Sequence, residues 1–335
     1  MKLSKTKSSP SSECVNSKFS NFSGGIAKAL KNSRMKCMTN LRAMEYSKWR
    51  PGTLLRVSGE DAATFLQGQF TNELRGLAAG SGVYGLWLNQ KGKVLGDSFI
   101  LPGMVEGEFL VASYFCLAAG IVRRLEDYVI ADDVVLEDIT ADWMGISIFG
   151  VGAQAWLAEN ARLGRIFPGR RTTEASGEWI FPAEGESAVL RQLAGAAEIG
   201  ADELARRRIE AGIPAMPVDI GPGDLPGEGG LEAVAISYTK GCYLGQEVMA
   251  RLKSMGQVRR RLMRVCGPGQ VPVVPAALWQ GAKQVGELRS VVGGPDGFTG
   301  LALLSFVSWQ SGVAMGREAN GQAEIEVVPA EPTRS

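Results

Sequence analysis

Lys240-Gly241-Cys242-Tyr243-Leu244-Gly245-Gln246-Glu247-Val248-Met249-Ala250-Arg251 is the densest stretch of this 335-residue chain. Its two glycines permit an irregular turn and residues 246–252 are helix-competent, so Cys242 is expected just ahead of a helix N-terminus with Lys240 beside it. Unpaired backbone N–H groups and a neighbouring cation both stabilise a thiolate, which makes Cys242 the one cysteine of five whose surroundings predict reactivity. The competing reading is a buried, inert thiol.

Upstream, Arg208-Ile209-Glu210-Ala211-Gly212-Ile213-Pro214 ends a helix expected over residues 202–211. A carboxylate at that end opposes the macrodipole, so Glu210 either pairs with Arg206 or Arg207 or points into a pocket and accepts hydrogen bonds from a ligand. Further back, residues 84–88 and 94–101 flank Asn89-Gln90-Lys91-Gly92, a hairpin. Strand alternation puts Asp97 on one face with Leu95, Phe99 and Leu101. A carboxylate there is either at a solvated edge or buried with a raised pKa, as a ligand-orienting or catalytic acid would be.

Two strand-turn-helix units, around residues 54–70 and 145–163, suggest two similar subdomains. After Arg261 the pattern is short strands (262–266, 285–292, 299–306, 324–328) separated by Gly and Pro, the signature of a small β-barrel or sandwich. The fold class is therefore α+β. Residues 1–40 form a basic extension, either a disordered tail before a later initiator or an organelle presequence; 41–255 hold the two intertwined subdomains and 256–330 the β-barrel.

Composition excludes several chemistries. There is no histidine, which removes Ser-His-Asp, Cys-His and His-based metal sites. No Cys-x-x-Cys pair is present, so no zinc ribbon is expected and no metal is assigned. Gly150-Val151-Gly152-Ala153-Gln154-Ala155 matches a dinucleotide fingerprint only formally, because position 170 lacks the acid that should close a second strand. The longest apolar run, residues 109–122, is too short to span a bilayer, and no secretory signal precedes it, so the location expected is cytoplasmic, or mitochondrial or plastid if 1–40 is a presequence. Beyond residue 40 the charge is 28 basic against 34 acidic residues, which speaks against a broad phosphate-binding surface. Locally, Lys240, Arg251, Lys253 and Arg259 to Arg261 make a basic stretch that either is a solvated face or meets RNA or an acidic protein.

The pattern Lys-Gly-Cys-Tyr-x-Gly-Gln-Glu-x-x-x-Arg resembles the YgfZ-type folate-binding proteins, whose relatives include mitochondrial iron-sulfur assembly proteins and which share the fold of the glycine cleavage T-protein. Val57-Ser58-Gly59-Glu60-Asp61, Phe65-Leu66-Gln67-Gly68-Gln69 with Thr71-Asn72, the Leu88 to Asp97 segment, and Arg208 to Pro214 extend the resemblance over about residues 50–310. It implies two α/β subdomains and a C-terminal β-barrel around a central tetrahydrofolate pocket, and a role in maintaining iron-sulfur enzymes, one of which methylthiolates tRNA. By the same resemblance Cys242 and Lys240 are motif residues, Asp97 matches an acid beside the folate of aminomethyltransferases, and Glu210 matches the glutamate that holds the pterin. Tyr243 and Arg251 join them as cofactor-binding candidates.

Three readings follow. The first is a folate-binding accessory factor whose partners are iron-sulfur enzymes or assembly factors, with direct tRNA contact left open. The second is a tetrahydrofolate-dependent aminomethyltransferase; against it, transferases carry an acid at the place of Cys242. The third, a scaffold without folate, would leave Asp97 and Glu210 tied up in salt bridges with no cavity between them.

Overall fold

The computed structural model describes residues 43–78, 80–256 and 258–328. The basic extension 1–40 lies outside the described residues. The first elements are β1 (Glu45–Trp49), β2 (Thr53–Ser58), α1 (Ala62–Gln69), β3 (Val83–Leu88), β4 (Val94–Pro102), β5 (Phe109–Ser113), α2 (Ala118–Glu126) and β6 (Val135–Asp138). Next come β7 (Trp143–Phe149), α3 (Ala153–Asn160), β8 (Arg165–Pro168), β9 (Ser176–Pro182), α4 (Glu186–Gln192), β10 (Ala197–Glu198), α5 (Ala201–Glu210), α6 (Glu232–Ala235) and α7 (Gln246–Met255). The last are β11 (Arg260–Pro268), β12 (Ala276–Gln280), β13 (Lys283–Gly294), β14 (Gly297–Ser305), β15 (Met315–Gly316) and β16 (Ala323–Val327).

Two five-stranded sheets are ordered β3-β4-β5-β2-β6 and β10-β1-β7-β9-β8. Because β1 precedes β2 in the chain yet pairs with β7, the two subdomains interlace. The remaining strands β11 to β16 close into a barrel, which decides between the barrel and sandwich expectations. Closure removes the exposed edges an open sheet would leave. Sequence reading missed β12, which follows Pro275, and the two-residue β15. Leu163, expected on α3, lies three residues past its end. The Gly150-Val151-Gly152 turn has both glycines at positive φ, +112° and +94°, and serves as a tight strand-to-helix connection.

The core around the first sheet includes Met216, Ile220, Leu231, Ile236, Tyr243 and Met249 from the segment that carries the motif. That segment is thus fixed to the first sheet by apolar burial. Helix α5 docks differently: Ile209 packs on Val292 and Leu301 of the barrel.

Candidate functional site

The motif loop is held from below. The Lys240 ammonium donates to the carbonyls of Gln67 at 2.7 Å, Phe70 at 2.6 Å and Asn72 at 2.9 Å, and Lys240 is 5% exposed. The expected cation beside Cys242 is therefore turned inward, committed to three backbone acceptors. Burial pushes its pKa down to about 8. Thr71 ties the same turn down by donating to Ala235 O at 2.7 Å and accepting from Leu86 N at 2.8 Å.

Above this anchor the chain exposes Cys242 and reverses at Gly245, which has φ +86° and is the N-cap of α7. A Cβ at Gly245 would stand 2.9 Å from Asn89 O, and one at Gly92 (φ +68°) 2.7 Å from Met249 Cε. The hairpin turn and the motif helix approach this closely because both contact positions lack side chains. Tyr243 is buried, its hydroxyl has no hydrogen-bond partner among the described residues, and burial pushes the phenol up to about 12. Lys240 lies 5.4 Å from the Tyr243 ring centroid. Arg251 is exposed on α7. Of the basic stretch, Lys240 is buried and Arg260 is paired with Asp224 and Glu228, leaving Arg251, Lys253, Arg259 and Arg261 exposed.

Asp97 sits elsewhere. It is 6% exposed, so the solvated-edge alternative does not hold. Tyr84 donates to Oδ2 at 2.9 Å, Ser113 to Oδ1 at 3.1 Å, and the Cys116 thiol lies 3.4 Å from Oδ1. Burial raises the Asp97 pKa, against the lowering effect of these donors. The Arg170 guanidinium stacks 4.3 Å from the Tyr84 ring centroid, and Arg171 stacks 3.8 Å from that of Tyr114.

Beside Tyr114 lies an acid the sequence reading missed. Glu178 is fully buried, and its Oε2 accepts from Trp49 Nε1 at 3.0 Å and Ser147 Oγ at 2.7 Å. Its Oε1 makes a long buried ion pair with Arg171 Nε at 3.8 Å, and among the described residues neither atom has a hydrogen bond. Burial raises the Glu178 pKa too. The signal was available: a lone acid in the apolar strand Ser176–Pro182, as with Asp97 in β4.

Glu210 is in a third place. Its neighbours Arg206 and Arg207 pair with Glu203, and Arg207 also with Glu45, so of the two alternatives for Glu210 the local ion pair is not made among the described residues. The side chain is exposed in a groove against the barrel that includes Cys266 and Glu326. The groove that Glu210 lines does not include Asp97. Asp97 with Tyr84, Ser113 and Cys116, and Glu178 with Arg171, Trp49 and Ser147, make two buried polar clusters, and Glu210 belongs to neither.

Two interlaced sheets and a closed barrel define a protein of the T-protein fold class. The structure of glycine cleavage system aminomethyltransferase T from Bartonella henselae superposes with a TM-score of 0.69, covering 88% of each chain at 20% identity. Residues 34–163 match the GCVT N-terminal domain model, and residues 259–333 match the CAF17 C-terminal beta-barrel domain. The iron-sulfur cluster assembly factor IBA57, mitochondrial, of Homo sapiens is 33% identical over 275 residues, covering 75% of this chain and 75% of its own. The tRNA-modifying protein YgfZ of Yersinia pseudotuberculosis is 28% identical over 255 residues, 70% of this chain and 74% of its own. This chain belongs to the IBA57 and YgfZ family.

Proposed function

We propose that the protein is an iron-sulfur cluster assembly factor that meets its client through the Cys242 thiol and holds a reduced folate against Asp97. The observation that carries this reading is the contrast within the motif: Lys240 is buried on three carbonyls while Cys242, two residues on, is exposed. A rigid base and an exposed thiol suit a sulfur that must reach a cluster or a partner cysteine. Bound tetrahydrofolate supplies an amine that carries or accepts one-carbon units. Asp97, with its pKa raised, holds or accepts a proton next to the ring, and Tyr84 and Ser113 orient it. Arg170, half-buried over the Tyr84 ring, offers a cation to a glutamyl carboxylate of a folate. A tRNA connection would run through the iron-sulfur enzymes the protein maintains. The mitochondrial names of relatives favour the organelle alternative for location.

Two measurements test this. In cells lacking their own family member, the wild type should restore iron-sulfur enzyme activities and Cys242→Ser should not, although the exposed substitution leaves stability within about 0.5 kcal/mol. Full restoration by Cys242→Ser would remove the thiol from the function. In calorimetric titrations with tetrahydrofolate, Asp97→Ala should abolish binding, while Glu210→Ala should bind as the wild type does. Weakening by Glu210→Ala would restore the pterin role implied by resemblance, and no binding to the wild type would remove folate from the proposal.

A further inference from the structure

A cavity of about 510 Å3 lies between Trp87 and Gly96 of the hairpin, Gly120, Ile121 and Arg124 of α2, and Pro217. Trp87 and Gly96 are directly paired and share a sheet face, so their face is the one opposite the Asp97 carboxylate. The Cys116 thiol stands between, 3.4 Å from Asp97 Oδ1 and 3.1 Å from where a Gly96 Cβ would be. Leu95 and Cys116 also line the cavity, whereas Tyr84, Tyr114, Arg170 and Arg171 do not, so it adjoins Asp97 only across the Cys116 thiol.

Its unusual component is Arg124. The residue is 6% exposed, on the inner face of α2. Nε donates to Leu88 O at 3.2 Å, Nη1 to Gln69 Oε1 at 3.0 Å, and the guanidinium stacks 4.4 Å from the Tyr128 ring centroid. Among the described residues the buried Nη2 has no hydrogen-bond partner and Arg124 has no ion pair. A buried cation served only by neutral acceptors is costly unless an anion completes it. Asp127 sits exposed at the rim with Arg123 and favours the Arg124 cation through space, without an ion pair among the described residues. Most of the remaining wall is apolar.

We propose that this cavity binds a small monocarboxylate with an apolar body, its carboxylate on the Arg124 guanidinium and its body against Trp87 and Ile121. One buried guanidinium matches one negative charge; a phosphate would bring a second into apolar surroundings. The site backs onto the motif: Leu88 and Gln69, which hold Arg124, adjoin Gly245 and the Gly68 carbonyl that accepts from Leu244 N at 3.2 Å.

The test is calorimetry on the full chain with 4-phenylbutyrate and the neutral 4-phenylbutan-1-ol. The wild type should prefer the carboxylate by about tenfold or more, the scale of a charge-assisted hydrogen bond. Arg124→Gln should level the two. As a variant that keeps the fold, Gly120→Leu improves helix propensity and meets no atom within 4 Å of its Cβ, yet fills the cavity, so it should weaken both probes. Saturating tetrahydrofolate should leave probe binding unchanged. Equal affinity of the wild type for both probes, no binding of either, undiminished binding by Gly120→Leu, or competition by tetrahydrofolate would each overturn the proposal.

Discussion

Lys240→Met should lower the stability of the protein by about 3 kcal/mol or more and release the motif loop from the first sheet. Methionine matches the lysine stem in length and donates nothing. The carbonyls of Gln67, Phe70 and Asn72 each lose a charge-assisted donor in a buried turn. An unmade buried hydrogen bond costs about 1–3 kcal/mol, and three of them outweigh the relief of desolvating one ammonium. With its pKa pushed down to about 8, Lys240 still carries its proton at pH 7, so all three bonds are present there. A urea melt followed by tryptophan fluorescence reads the loss as a lower midpoint with little change in slope. The effect separates anchoring from chemistry, because Cys242→Ser should leave the midpoint in place. A midpoint for Lys240→Met equal to that of the wild type would mean that water serves the carbonyls and that the lysine does not hold the loop.

The elements that position this site were legible where the apolar period was clean. The hairpin of β3 and β4, the amphipathic helices α2 and α5, and the start of α7 all follow from patterns of two or 3.6 residues. Asp97 was legible for the same reason, since an acid among Leu95, Phe99 and Leu101 has few places to go. What the pattern could not supply was the far partner. The three carbonyls on Lys240 come from a turn about 170 residues earlier, and nothing in the local sequence marks a backbone oxygen as free. Arg170 and Arg171 lie in a connection between strands, and their stacking on Tyr84 and Tyr114 depends on how the two sheets interlace. Glu210 shows the converse: the helix is where its period puts it, but Ile209 docks on the barrel and turns the next residue to solvent. Resemblance transfers a residue type to a position; packing decides which cavity that position faces.

Asp97→Asn should stabilise the protein at neutral pH by roughly 1–3 kcal/mol, the scale of an imperfectly compensated buried polar group, while removing the acid proposed to face the folate. The amide keeps the volume and one oxygen for the Tyr84 hydroxyl, and the hydroxyl of Ser113 can turn to accept from the new N–H. The gain carries a pH signature. Burial raises the folded-state pKa of Asp97 above its ordinary value, so between the two values the folded protein binds more protons than the unfolded chain, and wild-type stability falls as pH rises through that window. Below the unfolded value of about 3.9 the carboxyl is neutral in both states and the pair of proteins should differ little. Asparagine has no such titration, so the stability gap should open from acid toward neutral pH and then level off. Urea midpoints for both proteins across that range measure it. A gap that is the same at every pH would show that Asp97 remains ionised with its three donors supplying full compensation, and the reading of Asp97 as a proton-holding group would fail with it.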